Sequence, residues 1–166
     1  GRAARYRGAM GPEHDDRHHF ATDCVHAGHR ASRENPAVVA PIVSSATFLL
    51  DERAYERMAA GRADEALIYT RIANPTLHAL EERLARLEGA ERAHVFASGM
   101  AAVHAAVMSV VSQGATIVAP REVYGSTWDL FQNLLPRLGI TTRFVDTSDL
   151  AVLERTLADV RPALVY

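Results

Sequence analysis

The chain contains no lysine: every one of its 18 basic residues is arginine. Chemistry that needs a primary side-chain amine is beyond these 166 residues on their own. The absence excludes a phosphate-binding loop ending in Gly-Lys-Ser/Thr, and it excludes an internal Schiff base. Cysteine is almost as scarce. Cys24 stands alone, so no internal disulfide can form, and a reducing, cytoplasmic setting is the expectation. No apolar run approaches the roughly 18 residues that a membrane span needs. Arg2, Arg5 and Arg7 open the chain without an apolar stretch behind them, which is not the build of a secretory signal. A net charge of −2 offers no basic surface of the kind nucleic acids select. Gly-x-Gly-x-x-Gly and Gly-x-Ser-x-Gly are both missing, which counts against a dinucleotide fingerprint and a hydrolase nucleophile elbow.

What is present suits one soluble domain with a real core, since 48% of the residues are hydrophobic. Residues 1–20 mix Gly, Arg, His and Asp without periodicity and are expected to form a tail. Residues 21–70 hold few periodic runs, being interrupted by Pro36 and Pro41, and resemble an arm more than a core. Within them 51–62 is expected to be a short helix, with Ala54, Tyr55, Met58 and Ala59 at helical spacing. The pattern then changes. Leu77, Leu80, Leu84 and Leu87 form one helical stripe over 76–88, stopped by Gly89. Strands are expected at 93–97, 116–119, 141–145 and 163–166, with helices at 100–111, 127–135 and 150–157 between them. Such alternation argues for βαβ units, an α/β fold and a mostly parallel sheet. A sheet with an open edge and apolar face needs cover, so the chain is expected to continue beyond Tyr166.

Three segments carry residues suited to chemistry. In Phe96-Ala97-Ser98-Gly99-Met100, a strand gives way to a helix through a small turn. Free N–H groups and the positive end of a helix dipole then point at one spot, which suits a phosphate. The plain alternative is a strand–helix turn with Ser98 as N-cap. In Tyr69-Thr70-Arg71-Ile72-Ala73-Asn74-Pro75-Thr76, Tyr69 and Arg71 are two apart and in extended backbone would point the same way. A guanidinium and a phenol together can clamp a phosphate, while Asn74 or Thr76 can cap the helix that follows. The alternative there is a surface Arg beside a packing Tyr. In Glu122-Val123-Tyr124-Gly125-Ser126-Thr127, Tyr124 lies in the loop after a parallel strand, where it can stack on a planar ring, donate a proton, or merely pack. The clusters His14, His18, His19 and Cys24, His26, His29 have no second ligand pair and are read as solvated. Asp146 and Asp149 are read as a strand end and a helix cap.

Taken in order, these segments resemble the pyridoxal 5'-phosphate (PLP) enzymes of Cys/Met metabolism. That family includes cystathionine γ-synthase, cystathionine γ-lyase, methionine γ-lyase and O-acylhomoserine sulfhydrylase. Val25-His26-Ala27-Gly28, Ala40-Pro41-Ile42, Ser45-Ala46-Thr47-Phe48, Leu87-Glu88-Gly89, and Gly139-Ile140 before Val145-Asp146 add to the likeness. The resemblance implies a fold-type I, aspartate-aminotransferase-like architecture: tail 1–20, an arm 21–75 contacting a neighbouring subunit, and the first part of the large PLP-binding domain from 76 to 166. It implies that Tyr69 and Arg71 reach the cofactor phosphate of the neighbouring subunit, and that Ser98, Gly99 and Met100 hold the phosphate of their own. Tyr124 would stack on the pyridine ring and act as acid or base near the leaving group. The implied reaction is γ-elimination or γ-replacement on a sulfur amino acid or O-acylhomoserine, in a cytoplasmic homotetramer built from catalytic dimers. No metal or nucleic-acid role is implied. The family's Schiff-base lysine, pyridinium aspartate and carboxylate arginine would lie beyond Tyr166, so the 166-residue piece is expected to be inactive alone. Asn74-Pro75-Thr76-Leu77 is similar to γ-lyases and Tyr69-Thr70-Arg71-Ile72 to sulfhydrylases, while Ser126 stands where bacterial methionine γ-lyases often have Cys. A reading from another class is a truncated, non-catalytic homologue that serves as an oligomerisation module.

Overall fold

A computed structural model of the chain describes residues 19–29, 31–33 and 36–166. Most of the expected tail, with His14 and His18, lies outside the described residues. The chain forms two compact units that divide at Val95 and Phe96. The border expected between arm and large domain, at 75/76, falls inside the first of them.

In the first unit the helices are α1 (Phe20–His26), α2 (Glu52–Ala59) and α3 (Pro75–Leu87). Helix α1 begins at Phe20, which the sequence placed in the tail, and it buries none of its residues. A helix without a buried stripe leaves little periodic signal to find. Helix α2 starts where Asp51 accepts the Ala54 N–H at 2.8 Å. Helix α3 starts on Asn74, whose Oδ1 accepts the Thr76 N–H at 2.9 Å, with Pro75 at the first helical position. Arg83 of α3 reaches back to α1, donating from Nε to the Ala27 carbonyl at 2.9 Å and from its terminal nitrogen to the Val25 carbonyl at 3.2 Å. Arg86 adds an ion pair to Asp23 at 3.7 Å. The close approach depends on Gly28, at φ +80°: a Cβ there would lie 1.9 Å from the Ala79 carbonyl oxygen.

The second unit alternates helix and strand: α4 (Gly99–Val110), β1 (Thr116–Pro120), α5 (Gly125–Asp129), β2 (Thr141–Val145), α6 (Leu150–Val160) and β3 (Leu164–Val165). The strands form a three-stranded parallel sheet in the order β2-β1-β3. Central β1 buries Ile117, Val118 and Ala119 completely, as a strand covered on both faces must. Val107 and Val111 from the α4 side, with Leu130, Phe131, Leu135 and Ile140, complete the core around Ile117 and Ala119. Trp128 stacks on Phe144 with ring centroids 4.1 Å apart.

Two expected elements differ. The helix expected at 127–135 starts two residues earlier, at Gly125, and changes pitch, becoming π over Leu130–Leu134 and 3-10 over Leu135–Leu138. Pro136 supplies no N–H and its ring crowds the preceding turn, so the ordinary ladder cannot run through it. Gly139, at φ 74°, ends the run. The strand expected at 93–97 does not form a ladder among the described residues. The Val95 N–H donates to Glu81 Oε1 at 3.1 Å, so the group a neighbouring strand would use is taken by a carboxylate.

Candidate functional site

The first turn of α4 is the clearest place for an anion. Ser98 is in extended backbone and its hydroxyl oxygen accepts the Ala101 N–H at 3.1 Å. The Ala102 N–H goes to the Ser98 carbonyl at 3.1 Å. The N–H groups of Gly99 and Met100 have no partner among the described residues, as expected for the leading donors of a helix. Gly99 faces open space, with nothing within 4 Å of where a Cβ would stand. Ser98 thus caps the helix as its plain reading required, and the cap leaves the two foremost donors free.

Tyr124 stands at the start of the next helix. Its backbone stands at φ −53° and ψ 135°, its carbonyl accepts the Trp128 N–H at 2.9 Å, and the residue is 72% exposed. The short turn at 111–115 sends α4 back along β1, so the first turn of α4 lies at the end where β1 stops and the loop to α5 begins. One contact fixes this juxtaposition: the buried Thr127 hydroxyl donates to Met100 Sδ at 3.6 Å. The structure therefore gathers Ser98, Gly99, Met100 and Tyr124 at the carboxyl edge of the sheet, the usual ligand edge of parallel α/β units. Thr127 was not singled out from the sequence; a hydroxyl among Ser126, Thr127 and Trp128 gives no sign that its partner is a methionine sulfur.

Tyr69 and Arg71 belong to the first unit. Extended geometry was the expected reason for them to point one way, and this is corrected. Residues 69–72 form a turn, closed by the Ile72 and Ala73 N–H groups donating to the Tyr69 carbonyl at 2.8 and 3.1 Å. Only Tyr69 keeps a strand-like contact, an antiparallel bridge to Thr47. The two side chains meet all the same, because the Arg71 guanidinium lies over the Tyr69 ring at 5.4 Å from its centroid. Both residues are exposed.

The remaining candidates have structural partners. The His29 ring nitrogen Nε2 lies 2.8 Å from the Ala37 carbonyl oxygen. Asp149 caps α6, accepting from the Ala151 and Val152 N–H groups at 3.0 Å each. Asp146 follows β2 and accepts from the Ser148 hydroxyl and, at 2.9 Å, the Ser148 N–H. These bonds favour the ionised form and hold the Asp146 carboxyl below its ordinary value. A hollow of about 430 Å³ beside β2 and α6 is bordered by Arg121, Arg143 and Asp146, and none of Tyr69, Arg71, Ser98, Gly99, Met100 and Tyr124 lines it. No helix among the described residues is long and apolar enough to cross a membrane.

Residues 21–166 match the sequence profile of the family described as Cys/Met metabolism PLP-dependent enzyme. The chain belongs to this family. It is 34% identical over 138 residues to an L-methionine gamma-lyase of Pseudomonas deceptionensis, covering 83% of this chain and 35% of the relative. It is 37% identical over 130 residues to an O-acetyl-L-homoserine sulfhydrylase of Corynebacterium glutamicum, covering 78% of this chain and 30% of the relative. A solved structure from Campylobacter jejuni that contains N'-pyridoxyl-lysine-5'-monophosphate superposes with a TM-score of 0.73 at 29% identity, covering 82% of this chain and 34% of that one. The chain thus spans about a third of the length of the relatives it matches. As a member of a PLP-dependent family it has the α/β fold with a parallel sheet that the family's solved structures share. Both lyases and sulfhydrylases stand among its relatives at similar identity, so family membership alone does not separate the two activities.

Proposed function

We propose that this chain is the amino-terminal part of a PLP-dependent enzyme that performs γ-elimination or γ-replacement on a sulfur amino acid or an O-acylhomoserine. The observation that carries the reading is the first turn of α4, where the Gly99 and Met100 N–H groups have no partner among the described residues, Gly99 borders open space, and Tyr124 of the neighbouring loop is exposed. A phosphate dianion and a planar pyridine ring are what such donors and such a ring fit. Ser98, Gly99 and Met100 hold the phosphate of their own subunit, the backbone N–H groups of Gly99 and Met100 donating to its oxygens. Tyr69 and Arg71 hold the same phosphate from a neighbouring subunit, the guanidinium supplying charge and the phenol a further donor.

When bound, the cofactor withdraws electrons from the α-carbon of the amino-acid substrate. The chain's own residues orient and protonate. The Tyr124 ring stacks on the pyridine face, and its hydroxyl gives a proton to the departing γ-substituent. Asn74-Pro75-Thr76-Leu77 favours the γ-lyase type and Tyr69-Thr70-Arg71-Ile72 a sulfhydrylase; a sulfhydrylase or cystathionine γ-synthase is the second reading. The chain has no lysine, so the amine that attaches PLP comes from outside these 166 residues, and alone they are inactive. A cytoplasmic homotetramer built from catalytic dimers completes the proposal.

The test is Arg71→Ala in the full-length protein. Losing a charge-assisted contact of this type weakens binding by roughly 10- to 100-fold. Titration of the apoenzyme with PLP should show that loss with the subunit still folded. Unchanged affinity removes Arg71 from the phosphate and, with it, the cross-subunit site.

A further inference from the structure

An Asn at a helix N-cap needs only its carbonyl oxygen, and Ser serves that purpose as well. Asn74 does more. It is 5% exposed, and both hydrogens of its amide are used: Nδ2 donates to Thr70 Oγ1 at 2.9 Å and to the Val43 carbonyl at 3.0 Å. Thr76, two residues on, binds the same strand of chain, its hydroxyl accepting the Val43 N–H at 2.9 Å and donating to the Pro41 carbonyl at 3.0 Å. The start of α3 is thereby stitched to residues 41–43. Thr70 lies between Tyr69 and Arg71 and is held at both ends, its N–H on the Ala46 carbonyl at 2.9 Å and its hydroxyl on Asn74. Fixing Thr70 fixes the turn of which Tyr69 and Arg71 are part, and so the direction in which the guanidinium leaves it.

We propose that Asn74 and Thr70 are positioning residues that pre-set the Tyr69–Arg71 clamp for a phosphate group. The inference rests on the reading of Tyr69 and Arg71 given above. Neither Asn74 nor Thr70 touches the ligand. Their amide–hydroxyl bond orders in advance a turn that would otherwise have to be ordered on binding, and ordering before binding is what raises affinity. The effect is therefore specific to the phosphate end of the cofactor.

The experiment titrates the full-length apoenzyme with PLP and with pyridoxal, which lacks the phosphate, and records thermal unfolding alongside. Thr70→Val keeps the shape and removes the acceptor; Thr70→Ser keeps the hydroxyl; Asn74→Ser keeps the cap and is too short to reach Thr70. Thr70→Val and Asn74→Ser should each weaken PLP binding roughly fivefold, the worth of one hydrogen bond, with pyridoxal binding unchanged and Thr70→Ser restoring PLP. Equal weakening for both ligands would make the residues merely structural and overturn the proposal. PLP binding unchanged in Thr70→Val, while Arg71→Ala weakens it, also overturns the proposal and leaves the phosphate role of Arg71 standing. If Arg71→Ala itself leaves PLP binding intact, that role falls and this inference falls with it. Should Asn74→Ser fail to fold, Thr70→Val and Thr70→Ser decide the matter.

Discussion

The two units bury different kinds of side chain. Among the described residues of the first, the buried ones are alanines, Ala27, Ala54, Ala66, Ala73 and Ala85, together with Asn74. In the second they include Ile117, Phe131, Leu135, Ile140, Val107 and Val118. A fully buried large aliphatic or aromatic side chain contributes about 1.5–3 kcal/mol, and an alanine methyl far less. The first unit instead leaves Ile42, Leu49 and Val38 on its surface, at 87%, 102% and 85% exposure. It is held by ties from side chain to distant backbone: Arg83 to Val25 and Ala27, Asn74 to Val43, Thr76 to Pro41. Ties of this sort contribute about 1 kcal/mol each and are directional. One unit is a hydrophobic core that carries Ser98, Gly99, Met100 and Tyr124; the other is a polar frame that carries Tyr69 and Arg71.

The sharpest way to break that contrast is to delete one large side chain from each unit. Phe131 is fully buried and meets Tyr166 edge-on at a centroid distance of 5.0 Å. Phe131→Ala is expected to destabilise the second unit by about 3–5 kcal/mol. Tyr55→Ala, at a residue 59% exposed in the first unit, is expected to leave that unit's own fold within about 0.5 kcal/mol. Denaturant unfolding of the full-length protein, read by hydrogen exchange in each unit, measures both. Similar losses at the two positions would mean that the units do not differ in what holds them.

The next effect is smaller and belongs to the frame. At Gly28 a side chain meets two obstacles, the left-handed backbone at φ +80° and the Ala79 carbonyl oxygen at 1.9 Å. Gly28→Ala is expected to cost about 2 kcal/mol and to loosen α1 from α3. Gly89 has a similar φ of 62° but open space around it, so Gly89→Ala carries the backbone strain without the collision and should cost less. Faster exchange over Phe20–His26 in the Gly28 variant, with the second unit unaffected, is the expected result. Equal costs at Gly28 and Gly89 would show that α1 does not depend on the close approach.

The same contrast separates what the sequence reveals from what it hides. Helix α4 and strands β1 and β2 were legible because apolar runs report burial, and the second unit is built on burial. Helices α3 and α6 were legible from apolar spacing alone, although Leu77, Leu80 and Leu84 are exposed and α6 buries none of its residues. The caps at Asn74, Ser98 and Asp149 were legible because capping is local, whereas the cap at Asp51 was not singled out. The 93–97 strand was misread because a strand is a property of a pair, and the Val95 N–H finds Glu81 instead. The same holds for the Tyr69–Arg71 turn, whose closing bonds replace the extended backbone that parity assumed. Asn74 was visible as a cap and invisible as a clasp, since Val43 is 31 residues away in sequence. The candidate site divides along this line: Ser98, Gly99 and Tyr124 stand at ends of elements that the pattern marks, whereas the support behind Arg71 is tertiary.

The smallest effect probes a polar tie on the surface of the core unit, where solvent competes. Asp146 accepts from the Ser148 hydroxyl and N–H, and these bonds hold its carboxyl below the ordinary value of 3.8, with the Arg121 charge contributing least. A carboxyl depressed in the folded state stabilises that state above its unfolded pKa, and the contribution is lost as pH falls through the folded value. The dependence is therefore confined to acid, below the ordinary carboxylate value, and vanishes from comparisons made near neutrality. Ser148→Ala removes the hydroxyl and keeps the N–H, so the Asp146 carboxyl should titrate higher than in the parent. NMR titration of the Asp146 side chain measures this directly. A titration identical in parent and variant would mean the hydroxyl exerts no hold there, and that on this exposed loop water already donates in its place, whereas the amide of buried Asn74 depends on the Thr70 hydroxyl to accept its hydrogen.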